Sequence, residues 1–175
     1  MTYVPTAMTF LQKLSAYSLE IITNKDLPDV AVTGLEEGYD SESLRILAGL
    51  NPADNPFVIN DYFTRALKEL GLELNNRKEA VVNVIIFYAK NIVEKKADTY
   101  QEFDKLNEII DKTEFHYEDF GLMSCYAEYI SIWEEITGGL DFHTADGLTK
   151  EKYIEKVKEN IRNHLQDWLA INGGA

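Results

Sequence analysis

The chain has 175 residues, with 17 Lys and Arg against 30 Asp and Glu, for a formal net charge of −13. Its 45% apolar and 11% aromatic residues suffice for a core, which argues against intrinsic disorder. The acidic balance disfavours nucleic acid and anionic membrane as partners, and a single cysteine excludes a disulfide framework or a multi-cysteine zinc site.

Proline and glycine fall almost only between amphipathic segments, which is typical of an all-α protein. Local signals mark the ends of these segments. Asn55-Pro56 fits a cap followed by proline at the first helical position, and Gly71 suits the position after the last turn. The helices predicted in the first half of the chain cover residues 10–22, 27–38, 41–48 and 56–70.

A fifth helix is predicted from Asn75 or Asn76 to about Lys96, and its apolar middle places it at the centre of the fold. The run from residue 81 to residue 87 is rich in β-branched residues, so a buried strand is the alternative. About 20 residues without Gly or Pro favour the helix, because strands usually end sooner.

Three further helices are predicted in the second half. Thr99 and Glu102 fit a capping box, the next helix starts near Tyr117 or Asp119 and ends at Gly138, and Thr149 caps the last one. The stretch 140–148 is predicted to be a loop. The inward stripe of the middle helix is predicted to be Leu122, Tyr126, Tyr129, Trp133 and Ile136. The sequence thus predicts one all-α domain over residues 1–175, a bundle of about seven to eight helices.

No signal for membrane insertion or secretion is found. The longest apolar run covers residues 84–89, far short of the roughly 20 residues that cross a bilayer. The amino-terminal residues lack the pattern of a signal peptide. We therefore expect a cytoplasmic protein without a membrane partner.

The charge is unevenly distributed. The segment from residue 113 to residue 148 holds eight acids and neither Lys nor Arg. Protein surfaces of this composition normally mix both signs, so the segment is unusual. The eight acids are Glu114, Glu118, Asp119, Glu128, Glu134, Glu135, Asp141 and Asp146.

Helical spacing brings part of this charge to one side. Gly121, Ser124, Glu128, Ser131 and Glu135 follow at steps of three and four, so they share a polar face. A basic partner would relieve the repulsion there and associate faster. A solvated face, or one covered by cations from other helices, is the alternative. The predicted partner contacts are Glu118, Glu128, Glu134, Glu135 and Asp141.

Motifs for catalysis are missing from the sequence. No nucleophile elbow, phosphate-binding loop or HExxH pattern occurs, and Cys125 has no basic neighbour in its segment to activate it. The cluster from residue 114 to residue 119 offers oxygen ligands and His116, but no second histidine. We therefore predict no catalytic residue, no cofactor and no metal site, while an enzyme or small-molecule binder with a site between helices remains an alternative.

One part of the chain carries a family resemblance. The segments Leu27-Pro28-Asp29, Ser43–Leu50, Asp61-Tyr62-Phe63 and Ala66–Gly71 resemble stretches of small uncharacterised bacterial helical proteins, among them immunity proteins of polymorphic toxins. The resemblance implies a cytoplasmic antitoxin that binds a toxin domain, and it transfers no site residue. Together with the acidic segment, it predicts a protein that neutralises a basic, nuclease-like toxin domain. A homodimeric scaffold or regulatory module using an apolar patch is the other alternative.

Overall fold

The computed structural model describes residues 8–173, and this range is all-α, as predicted. Contacts group the chain into two compact units that divide within one helix, between Val84 and Ile85. Two short 3₁₀ turns, Asn24–Asp26 and Tyr117–Phe120, accompany the α-helices. The helices are α1 (Phe10–Ser18), α2 (Leu27–Glu36), α3 (Glu42–Ala48), α4 (Pro56–Leu70), α5 (Arg77–Val93), α6 (Thr99–Ile110), α7 (Met123–Thr137), α8 (Phe142–Ala145) and α9 (Lys150–Asn172).

The first unit contains α1 to α4 and the start of α5. The Phe10 ring packs directly on Gly34, where an added Cβ would lie 3.0 Å from it, so a larger residue at this crossing of α1 and α2 would have to displace the ring. The amino terminus of α3 is held by the Glu69 carboxylate of α4, which accepts hydrogen bonds from the Ser43 backbone N–H and hydroxyl at 2.9 and 2.6 Å. These bonds lower the pKa of Glu69.

The local helix signals of α4 are confirmed. The Asn55 side chain accepts a hydrogen bond from the Phe57 N–H, and Pro56 is the first helical residue. Gly71 ends the helix with φ of +65°, a left-handed conformation that glycine adopts without strain.

The segment rich in β-branched residues is helical. It lies within α5, where Val81, Val84, Ile85 and Ile92 are buried. The Asn76 side chain accepts a hydrogen bond from the Glu79 N–H near the start of the helix. Tertiary burial within a helix therefore overrides the preference of valine and isoleucine for strands.

The second unit contains the end of α5 and α6 to α9. Asp98 caps α6, accepting from the N–H groups of Tyr100 and Gln101, so the predicted Thr99 cap is wrong. The buried Thr99 hydroxyl instead accepts a hydrogen bond from Arg162 of α9. Because Asp98 occupies the capping position, the Thr99 hydroxyl can link α6 to α9.

Three predicted boundaries also differ. α1 ends at Ser18, because Glu20 turns left-handed with φ of 59° and the N–H of Ile22 bonds back to Ala16. Left-handed Gly121 separates the 3₁₀ turn at Tyr117 from α7, which therefore starts later than predicted. The expected loop 140–148 contains α8. None of the helices between residues 8 and 173 combines the length and apolarity needed to cross a membrane.

Candidate partner-binding surface

The orientation of α7 decides which of the predicted residues reach the surface. Its buried positions are Cys125, Tyr129, Ile132 and Glu135, which follow one another at steps of three and four. The predicted stripe is therefore wrong in its second half, because Trp133 and Ile136 are 43% and 51% exposed. Because Glu135 is buried, α7 is oriented so that the residues next to Glu135 in the sequence face outward.

Aromatic rings from α6, α7 and the 3₁₀ turn between them form part of the second core. Tyr129 stacks on Tyr100 with ring centroids 5.3 Å apart, and its hydroxyl donates to Asp104 at 2.5 Å. Tyr117 stacks on Tyr126 at 4.3 Å and donates to the Asn107 side chain at 2.6 Å. Burial raises the pKa of Tyr117 and Tyr129, so both remain neutral donors. The buried rings of Tyr117 and Tyr129 therefore serve packing, whereas Tyr126 is half-buried and also borders the solvent.

The predicted polar side of α7 exists but is not freely exposed. Glu128 is half-buried, and its Oε1 accepts a hydrogen bond from the Asn160 side chain of α9 at 2.9 Å. Lys156 of α9 also interacts electrostatically with Glu128. The side that carries Glu128 is thus oriented toward α9, and this carboxylate is partly neutralised within the molecule.

Glu135 is buried, with only 1% of its surface exposed. Its Oε1 accepts a hydrogen bond from the His143 backbone N–H at 2.7 Å, and its Oε2 lies 2.9 Å from Nδ1 of the same histidine. Burial alone would raise the pKa of Glu135, but the two contacts with His143 and the charge of Lys150 lower it. The expected partner contact at Glu135 is wrong, because its carboxylate is held inside the unit.

Three predicted contacts remain accessible. Glu118 and Asp141 are exposed, and Glu134 is half-buried. Between residues 8 and 173, no Lys or Arg forms an ion pair with any of the three. Asp146, by contrast, pairs with Lys156 of α9. The acidic segment is therefore compensated along α9 and uncompensated at these three positions.

The exposed side of α7 is mainly apolar, which the sequence interpretation missed. We call it the outer α7 patch, and it continues past the end of the helix. Its members are the exposed residues Met123, Trp133, Ile136 and Leu140 and the half-buried residues Tyr126 and Ile130. Residues 126, 130 and 133 follow helical spacing just as 125, 129 and 132 do, so α7 has two apolar sides. The presence of this second stripe in the sequence was the signal that could have revealed the patch.

Glu134 and Asp141 adjoin the outer α7 patch in sequence, next to Trp133 and Leu140. Glu118 precedes α7 and belongs to the opposite end of the helix, which at 1.5 Å per residue is about 20 Å long. Apolar anchors bordered by charge are typical of protein interfaces. The arrangement can therefore bind a surface that offers both apolar side chains and cations.

Two surface pockets lie in the first unit, and both include Tyr17. One of these pockets has a volume of about 420 Å³, and its lining includes the apolar side chains of Phe63, Leu67 and Leu72. Neither pocket is lined by a histidine or by two acidic residues. These two pockets therefore lack the converging groups that general acid–base catalysis requires.

Comparison with protein-family models, with curated proteins and with solved structures found no match to this chain. The function must therefore be argued from the geometry of the surface.

Proposed function

We propose that this protein is a binding protein that docks a basic partner protein on the outer α7 patch. The observation that carries the proposal is the exposure of Trp133, Ile136 and Leu140 next to Glu134 and Asp141, two acids without a cationic partner among residues 8–173. Aromatic and aliphatic side chains would supply most of the affinity, and the acids would attract and orient the partner.

Charge favours a cationic partner over a second copy of the chain. In a symmetric dimer the same patch would face itself, bringing Glu134 and Asp141 of both copies together. Each copy also carries a formal charge of −13. A basic partner meets the same apolar side chains without this repulsion.

A narrower form of the proposal is an immunity protein that neutralises a basic, nuclease-like toxin domain. The resemblance of parts of residues 27–71 to such proteins supports it, and the acids next to the outer α7 patch would suit a domain whose own surface binds nucleic acid. Binding of this kind requires no catalytic group in the antitoxin. Both forms of the proposal require a partner whose surface offers basic and apolar side chains.

The proposal can be tested with a synthetic amphipathic helix that presents leucines on one side and lysines on the other. Trp133 is exposed whereas Trp168 is 7% exposed and donates its indole N–H to the Phe120 carbonyl, so tryptophan fluorescence reports mainly on the patch. We expect saturable binding with a blue shift of the emission. A matched peptide with glutamates in place of the lysines should not bind.

Variants locate the binding surface. We expect Trp133→Ala to weaken peptide binding by roughly 30-fold and Glu134→Lys by roughly 3- to 10-fold, both measured by calorimetry. Phe57→Ala is the matched apolar control, since Phe57 is 85% exposed in the first unit, and Glu108→Lys is the matched charge control on α6. Equal losses in variants and controls would contradict the proposal, as would a dimer that forms at high salt through Trp133.

A further inference from the structure

The two surface pockets of the first unit adjoin at Tyr17, in the last turn of α1. Their volumes are about 600 and 420 Å³, which is the range of small-molecule sites. The Tyr17 ring packs edge-on against Phe63 of α4, with ring centroids 4.9 Å apart. Its hydroxyl lies 2.9 Å from Asn24 Oδ1, in the lining of the larger pocket, and 3.4 Å from Asn60 Oδ1, in the lining of the smaller one. We call the two pockets together the Tyr17 cleft.

The larger pocket offers hydrogen-bond acceptors, because the hydroxyl protons around it are already used within the protein. Ser18 donates its proton to a backbone carbonyl of α1, and Thr23 donates to the Asp26 carboxylate. Tyr17 donates to Asn24. Each of these hydroxyl oxygens keeps lone pairs that can accept from a ligand. The Asn24 amide nitrogen adds a donor to this mainly accepting lining.

Glu20 adds a carboxylate to the same lining and has an unusual backbone conformation. It follows the end of α1 with φ of 59°, in the left-handed region that glycine adopts without strain. A glutamate costs stability at such a position, and its side chain is the part that can compensate by binding a ligand. Within the described range 8–173, no Lys or Arg forms an ion pair with Glu20.

The smaller pocket offers an apolar surface. The chain turns back after α4 at left-handed Gly71, and residues 72–74 reach the pocket. Lys68 and Glu73 also line it and their charges cancel, so apolar contact rather than net charge would select a ligand there. The apolar side chains of the lining are Phe63, Leu67, Leu72 and Leu74.

The chemistry of the cleft fits an ammonium group attached to an apolar group. An ammonium has three N–H donors and no acceptor, which matches a lining of hydroxyl oxygens and a carboxylate. The formal charge of −13 also favours a cation over an anion. We propose that the Tyr17 cleft binds a small primary amine, with the ammonium at Glu20 and the apolar part against Phe63 and Leu72.

The probe for this site is 2-phenylethylamine. Its matched control is 3-phenylpropanoate, which has the same apolar part and the opposite charge. We expect calorimetry to show saturable 1:1 binding of the amine with a dissociation constant below about 1 mM. The carboxylate should bind at least roughly 10-fold more weakly, because Glu20 repels it and the hydroxyl oxygens find no donor on it.

The variant Glu20→Gly separates binding from folding. It removes the carboxylate and relieves the left-handed backbone, so the thermal unfolding midpoint should rise by roughly 2 to 4 °C while the affinity for the amine falls at least about 5-fold. Lys95→Gly is the matched control, because Lys95 is left-handed too, with φ of 54°, and belongs to the second unit. It should raise the midpoint similarly and leave the affinity unchanged.

A second pair of variants tests the apolar side of the cleft. Leu74 lines the smaller pocket and is 39% exposed, so Leu74→Ala should leave the fold intact and weaken binding by roughly 3-fold. Leu11→Ala is the matched control, since Leu11 is 44% exposed in the same unit and lines neither pocket. Its affinity for the amine should equal that of the unmodified chain.

The proposal is overturned if the amine does not bind saturably, if the carboxylate binds as tightly, or if Glu20→Gly leaves the affinity unchanged. Loss of affinity in Glu134→Lys would place the amine at the outer α7 patch and would overturn it too. Peptide binding at that patch depends on residues of the second unit, so failure of one proposal does not decide the other.

Discussion

Single side chains show how far burial sets reactivity in this protein. Cys125 is the only cysteine, and it lies in the buried stripe of α7. Burial raises the pKa of its thiol from 9.0 to about 12, and the nearby charge of Glu128 acts in the same direction. The sequence indicated an unreactive thiol because no basic residue lies in its segment, and no distant residue was needed for that inference.

We therefore predict that the Cys125 thiol reacts with a disulfide reagent at pH 8 at least 100-fold more slowly in the native protein than in guanidinium chloride. Only the thiolate is nucleophilic, and both the raised pKa and the burial suppress its attack. Absorbance of the released chromophore measures both rates. A native rate equal to that of a free thiol would contradict the assigned burial.

The environment of Glu135, in contrast, could not be inferred from its neighbours in the sequence. Its partner His143 is eight residues away, on a short helix that was expected to be a loop. A buried glutamate is acceptable only with such a partner, and the sequence does not show that the turn after Gly138 returns the chain to α7. This is why the burial of Glu135 could not be predicted.

Whole elements were predictable where their signals are local. The starts of α4 and α9 depend on the capping side chains of Asn55 and Thr149, which act within three residues. The rotation of α7 depends instead on Asn160 of α9 and on His143. Cap positions can thus be inferred from sequence, whereas the face that a two-sided apolar helix buries is decided by its neighbours in space.

The start of α6 offers a test at the element scale. Asp98 caps the helix and bonds to Lys158 of α9 at 2.7 Å. Burial opposes ionisation of Asp98, but the Lys158 contact and the N–H groups of Gln101 and Tyr100 lower its pKa below the ordinary 3.8. A lowered pKa in the folded state stabilises the protein above pH 3.8, and this contribution is lost as the pH falls through the lower value.

We predict that Asp98→Ala lowers the free energy of unfolding by about 1 to 2 kcal/mol at pH 7, since it removes both the cap and the ion pair. Asp98→Asn keeps a capping side chain and should cost less. Its difference from the unmodified chain should begin to shrink below about pH 3.8 and disappear only once the pH is below the lowered pKa of folded Asp98. Urea unfolding followed by circular dichroism measures both variants. An Asn variant as unstable as the Ala variant would show that the charge, not the cap, dominates.

At the scale of the whole molecule, negative charge has two opposite consequences. With a net charge of −13, the acidic groups repel one another in the compact state, which reduces stability. The same charge attracts cationic partners. The attractive pairs that oppose this repulsion are mostly exposed, as with Arg45–Asp40 and Arg65–Asp61. Exposed pairs contribute little each, so repulsion should dominate the response to salt.

We predict that the thermal unfolding midpoint at pH 7 rises when NaCl is increased from about 10 to about 150 mM, because the Debye length falls from roughly 30 to 8 Å. The same change should weaken binding of the lysine-rich peptide, since screening acts on repulsion and attraction alike. Near the isoelectric point of about 4.6 the net charge vanishes, so the gain in the midpoint should vanish with it. Scanning calorimetry at both pH values measures this. A midpoint that falls with salt at pH 7 would mean that the attraction within ion pairs exceeds the repulsion from the excess negative charge. The acids at the outer α7 patch would then have to be less available to a partner than their exposure implies.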